Sequence, residues 1–207
     1  MKAKLLGLMM VSSLATASIA NAGAIGFIAE PYLGYALTGG ATTKTATTST
    51  DSGKFTGLAV GARALASYQM FFGGLDFSLS PLSHSPATAT GTTFTSVSSM
   101  KLGIVAGVEL PMLPLRFWLG YNFMNTQSMT QPAVGAVAAS DLSLSGSGIK
   151  LGVGYKVIPL VSVNAEYIMS SYGSAKNALG VQQFATGQSI SVNSFLLSVS
   201  VPFTLPI

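Results

Sequence analysis

Cysteine is absent, histidine occurs once, and only 8% of the 207 residues carry charge. Without cysteine there are no disulfides and no thiolate metal sites, and an exported chain has no lipidated cysteine to hold it. Soluble domains carry about 25% charged residues. At 8% charged and 49% hydrophobic, this composition suits a chain embedded in a membrane, and the mean hydropathy of +0.55 agrees. Yet the chain also lacks any internal run of the ~18 consecutive apolar residues that a spanning helix requires. Lipid leaves no water to satisfy backbone N–H and C=O groups, so spanning structures are helices or closed β-barrels. The barrel remains.

The N-terminus has the composition of a secretory signal. Lys2 and Lys4 form a positive start, Leu5 to Leu14 an apolar stretch, and Ala20-Asn21-Ala22 a small-residue cleavage site ending at Ala22. The expected organisation is a signal peptide over 1–22 and one barrel domain over 23–207. Cleavage would remove two lysines and lower the formal charge from +4 to +2, so no nucleic-acid partner is expected.

What is present in abundance is two-residue alternation. Leu115, Phe117, Leu119, Tyr121 and Phe123 fall on one face of a strand, with Arg116, Trp118, Gly120, Asn122 and Met124 on the other. The apolar face is continuous while the opposite face carries charge, glycine and amide, as expected of a barrel with lipid outside and a polar interior. Similar segments recur at about 24–38, 55–69, 72–80, 98–110, 146–157, 161–171 and 189–203. The fold class expected is therefore all-β, an eight-stranded antiparallel transmembrane β-barrel. Pro31 predicts a local bulge or bend, because proline cannot donate to a ladder. Ile190 and Val192 have the opposite parity to the rest of the last strand, predicting either a bulge or a segment beyond the membrane. Long connections at 39–54, 81–97, 125–145 and 172–188 alternate with short ones at 69–71, 111–114 and 158–160. Short periplasmic turns and long outer loops place both termini in the periplasm.

The inward face predicts a lumen charge set of Glu30, Arg63, Asp76, Lys101, Glu109, Arg116, Lys150, Lys156 and Glu166. Mixed signs suggest a plug of ion pairs, whereas an ion filter uses a ring of one sign. Glu109 and Arg116, flanking the Pro111–Pro114 turn, are the simplest pair to expect. Inward glycines make room for these side chains, so Gly152→Ser is expected to be milder than Leu119→Arg or Leu151→Arg on the lipid face. Outward aromatics are expected at two rims: Phe27, Tyr68, Phe72, Phe117, Tyr155 and Phe203 at the inner, Tyr35, Tyr121, Phe123 and Tyr172 at the outer.

No catalytic, cofactor or metal constellation is expected. His84 falls in the second long loop, with no acid nearby in sequence to orient it as a base. The Thr-rich segment GGATTKTATTSTDSGK reads as a solvated tip, and QPAVGAVAAS is unusually apolar for a loop.

The segments GFIAEPYLGYAL, FWLGYNF, IKLGVGYKV and FLLSVSVPF resemble the small outer-membrane β-barrel proteins of Gram-negative bacteria. That broad group includes the OmpA transmembrane domain, the OmpX/Ail proteins and OmpW. Members end in an aromatic that the assembly machinery reads; here Phe203 is followed by Thr204 to Ile207. The resemblance implies an outer-membrane location and a monomer with no cofactor. Its partners would be outer-membrane lipid and lipopolysaccharide, periplasmic chaperones and the barrel-assembly machinery. It implies a non-enzymatic barrel, structural or surface-interacting through its loops. The alternatives are an OmpW-like channel for small or apolar solutes and, more remotely, a lipid-modifying barrel enzyme.

Overall fold

A computed structural model describes residues 25–45, 48–87, 94, 96–132, 140–184 and 188–205. The signal segment with its cleavage site at Ala22, and most of the apolar third-loop stretch, lie outside the described residues. Among the described residues nine strands run in chain order: β1 (Gly26–Lys44), β2 (Ser49–Tyr68), β3 (Phe71–Ser85), β4 (Ser96–Glu109), β5 (Leu115–Gln131), β6 (Ser140–Ile158), β7 (Val161–Asn177), β8 (Ser189–Ser200) and β9 (Phe203–Leu205). Each neighbouring pair is antiparallel, and β1 pairs with both β2 and β8, so eight strands close into a ring. Closure leaves no open edge, which is what lipid demands of a spanning sheet. The alternation dictates which way each strand faces. Leu119, Leu151 and Leu197 are about half exposed on the outside, whereas Arg63, Arg116 and Lys150 are buried inside.

The expected bulge at Pro31 does not occur. Its register with β2 is continuous, Glu30 facing Arg63 and Tyr32 facing Gly61. The irregularity falls on the other side, where Pro31 and Pro202 both lack an N–H and the ladder to the last strand is interrupted. Register is nevertheless kept, with Tyr32 opposite Ser200 and Ala29 opposite Phe203. The segment after this gap is β9, so Thr204 and Leu205, expected as a tail, prolong the barrel wall along Ile28 and Phe27.

The long connections are shorter than expected because the strands run through them. The segment 39–54 is largely ladder, with Thr42 facing Asp51 and Lys44 facing Ser49. Strands of up to 20 residues exceed the ~9–11 that a tilted strand needs to cross the bilayer, so hairpins project beyond it at the long-loop end. The sequence alternation is lost there because three bulges change its phase. In β1 the lumen-facing set passes from Glu30 and Tyr32 to Ala41 across a register shift at Gly40, whose φ of 151° suits glycine. In β5 Phe123 is the extra residue, leaving Asn122 and Asn125 both inside. In β7 Gly173 is extra, leaving Tyr172 and Ala175 both inside. In β8 there is no bulge: Val192, Ser194, Leu196, Ser198 and Ser200 are all buried in unbroken alternation. The parity change at Ile190 and Val192 reflects a lumen that turns apolar at that end.

Two of the expected outward aromatics are inside. Phe72 packs with Leu65, Val105 and Trp118, and Tyr172 packs with Phe55, Met129 and Leu144. Phe72 follows the tight turn at Gln69–Met70, and its even number matches the inward set Asp76, Ser78 and Ser80 of β3.

Gly152 faces Trp118 across the β5–β6 ladder, and a Cβ at Gly152 would run into the indole. The substitution expected to be mild therefore carries a packing cost of its own. In urea titrations of vesicle-inserted protein, Leu151→Arg should cost about 2–4 kcal/mol if it lies near the bilayer midplane. Gly152→Ser should also cost about 1–3 kcal/mol by overpacking. A Gly152→Ser barrel as stable as the unsubstituted one would place Trp118 elsewhere.

Candidate functional site

The lumen is stacked in layers along the barrel axis. At the short-turn end Lys156 pairs with Glu109, both about one-third exposed. Above it lies an apolar layer of Leu65, Phe72, Val105 and Trp118. Next comes a buried ion layer of three carboxylates and three cations, none more than 3% exposed.

Arg63 is the centre of that layer because the ladder sets it directly opposite Glu30 on one neighbour and Asp76 on the other. Its Nη1 donates to Glu30 Oε1 at 3.0 Å, and its Nε lies 3.3 Å from Asp76 Oδ1. Its Nη2 donates to Glu166, which reaches across the lumen from β7. Arg116 forks onto Glu30, with Nη1 donating to Oε2 at 2.7 Å, and reaches Asn164 Oδ1 at 3.2 Å. Lys150 donates to Asp76 and lies 3.8 Å from Glu166. The guanidinium of Arg63 is stacked between the rings of Tyr32 and Trp118, at 4.6 and 4.8 Å from their centroids. The layer is formally neutral and spans the lumen from β1 to β7.

The structure therefore brings together six of the nine expected lumen charges, pairs two more at the rim, and leaves one apart. Glu109 and Arg116 do face each other in register, but they do not pair. Arg116 extends up the lumen to Glu30, stacked 5.4 Å from Trp118, and Glu109 meets Lys156. The ninth charge, Lys101, donates to Ser99 Oγ at 3.1 Å and joins no carboxylate among the described residues. Tyr32, Trp118 and Asn164 also belong to the site; the alternation places all three on inward positions, but nothing in it marks them as partners of the charges. Asn125 and Gln127 are hidden in sequence by the phase change at Phe123. The apolar doublet Phe123-Met124 within a polar-alternating strand is the signal that marks it.

Above the ion layer come Tyr32, Ala59, Ile168 and Leu196, then a polar zone around Lys101, then an apolar cluster of Phe55, Val97, Met129, Leu144 and Val192. At the long-loop end this cluster floors a cavity of about 400 Å³, walled by Ala41, Phe94, Leu142 and Ile190 with Asp51 among the few polar groups. His84 is at the end of β3, not in a loop, with its ring 4.8 Å from Phe55 and 5.0 Å from Phe94. Among the described residues no group of three metal-ligating side chains assembles.

No protein-family model matches the chain, and no curated protein does. Solved structures do. Neisserial surface protein A superposes with a TM-score of 0.50 at 17% identity, over 84% of this chain and 96% of that one. Ail, the attachment invasion locus protein of Yersinia pestis, superposes at 0.52 with 10% identity, over 85% and 98%. Its complex with the heparin analogue sucrose octasulfate superposes at 0.54 with 8% identity, over 86% and 99%.

Arg63→Met should destabilise the refolded barrel by about 3–5 kcal/mol, because three buried carboxylates lose their shared cation. Urea unfolding in vesicles measures this, and a loss below about 1 kcal/mol would contradict the assigned layer. With the alternation, the ring closure and these superpositions together, the chain has the fold of the small outer-membrane β-barrel proteins.

Proposed function

We propose that the protein is a closed, non-enzymatic outer-membrane barrel that acts at the cell surface, taking a small apolar molecule into the cup at its outer mouth. The observation that carries the reading is the contrast between the two halves of the lumen. The inner half is filled by compensated ion pairs whose side chains are at most 3% exposed. The outer half opens into an apolar cavity of about 400 Å³, a volume within the range of small-molecule pockets.

An apolar ligand fits this cup because few polar groups would be stranded by its entry. Phe55, Met129, Leu142, Leu144 and Val192 provide the contact surface, and Thr43, Thr50 and Asp51 supply polar groups beside it. An anionic ligand would lose hydration there without a partner of opposite sign, because Asp51 is the one charged group among the lining residues. Removal of the signal segment, export to the outer membrane, contact with lipid and lipopolysaccharide, chaperone-assisted assembly and a monomeric state complete the proposal.

The second reading is a channel for small or apolar solutes, favoured by the same cup taken as an entrance. It requires the ion layer to open, which would strand buried charges. The two readings separate in planar bilayers and by fluorescence. A naphthalene-type apolar dye should bind the refolded protein with enhanced emission, Leu144→Asp should weaken that binding at least tenfold, and the unsubstituted barrel should show no steady conductance. Large, stable, ion-selective openings would overturn the closed-barrel reading. Dye binding unaffected by Leu144→Asp would overturn the cup.

A further inference from the structure

The charges of the lumen do not sum to zero, and the excess is at one residue. Eight of the nine form pairs, and Lys101 is left with a hydroxyl as its only partner among the described residues, Ser99 Oγ at 3.1 Å. Lys101 is part-buried, and an ammonium with reduced access to water and no counter-charge is costly.

Lys101 borders a small cavity on the barrel axis, of about 20 Å³, to which seven of the eight ring strands contribute. This is room for one water-sized species. Its polar walls are Ser99, Gln127, Ser170, Tyr172 and Ser194, with no carboxylate among them. Gln127 is 1% exposed, and its amide nitrogen has no hydrogen-bond partner. Ser170 accepts from Asn125 Nδ2 at 3.0 Å and, like Ser99, also hydrogen-bonds the Tyr172 hydroxyl, so a ring of hydroxyls lines the cavity. Phe55 and Val192, shared with the outer cup, roof the cavity.

We propose that this cavity is a structural site for one small monatomic anion, of the chloride or bromide kind, held by Lys101 and Gln127 with hydroxyls completing the shell. Water would satisfy single hydrogen bonds but not the unpaired charge. Phosphate, sulfate and carboxylates carry too many heavy atoms for a space of one water. The anion balances the lumen, so the folded barrel should bind it and the unfolded chain should not. The site stands whether or not the cup above it binds a ligand.

The test is the unfolding equilibrium of the refolded barrel in vesicles, in sodium chloride or bromide against sodium gluconate at matched ionic strength. Halide should shift the equilibrium constant toward the folded state, saturably, by about tenfold when free halide is about ten times its dissociation constant. Lys101→Met should abolish the difference, and Gln127→Leu should reduce it. Equal stability of the unsubstituted barrel in chloride and gluconate would overturn the proposal, as would an undiminished halide effect in Lys101→Met. If Lys101→Met does not fold, crystals of the unsubstituted protein grown in bromide decide the matter. An anomalous peak within contact of Lys101 Nζ supports the site, and its absence at an otherwise ordered Lys101 rejects it.

Discussion

Arg63 is the residue on which the interior of this barrel depends. A lone buried guanidinium would be prohibitive, but this one touches Glu30, Asp76 and Glu166 while two aromatic rings cover its faces. Each of two carboxylates then recruits a second cation, Arg116 for Glu30 and Lys150 for Asp76. The result is a neutral cluster whose members come from β1, β2, β3, β5, β6 and β7. Breaking any contact strands a charge where water cannot reach it. The same cost gives the cluster a role in register, because a slip of one residue would send Arg63 into lipid.

The outer surface imposes the complementary constraint. Lipid contact requires apolar side chains at every second position, and ring closure requires every strand to find two neighbours. Small inward residues reconcile the two demands. Gly61 lies under Tyr32 and Gly152 under Trp118, so that the rings flanking Arg63 can lie flat against the wall. The two aromatic partners of Arg63 thus depend on Gly61, two residues before it in β2, and on Gly152 in β6, far from it in sequence.

Much of this architecture is legible in the amino-acid sequence alone. Period-two alternation survives folding because a strand crossing a bilayer has only two environments to face. The strand count, closure and the inward set of Glu30, Arg63, Asp76, Arg116, Lys150 and Glu166 all follow from it. Pairing is not legible. Glu109 and Arg116 are neighbours in the ladder, but long side chains in a narrow lumen choose partners along the axis and across it. The outer third is obscured for a different reason. Bulges at Gly40, Phe123 and Gly173 shift the phase, and the lumen there is lined by Phe55, Met129 and Val192, so both faces look alike in sequence. For the same reason the alternation misplaces His84 in a loop and Tyr172 on the outer surface.

The lumen is layered from end to end: compensated charge toward the short turns, a polar zone at Lys101, and an apolar cavity at the long-loop side. The central claim is that the ion layer is an energetically coupled unit and not a set of incidental contacts. A double-mutant cycle on Glu30→Gln and Arg116→Met, read by urea unfolding in vesicles, tests it most directly. The account predicts a coupling energy of about 1.5 kcal/mol or more, with the double variant less damaged than the sum of the singles. Simple additivity of the two losses would contradict it.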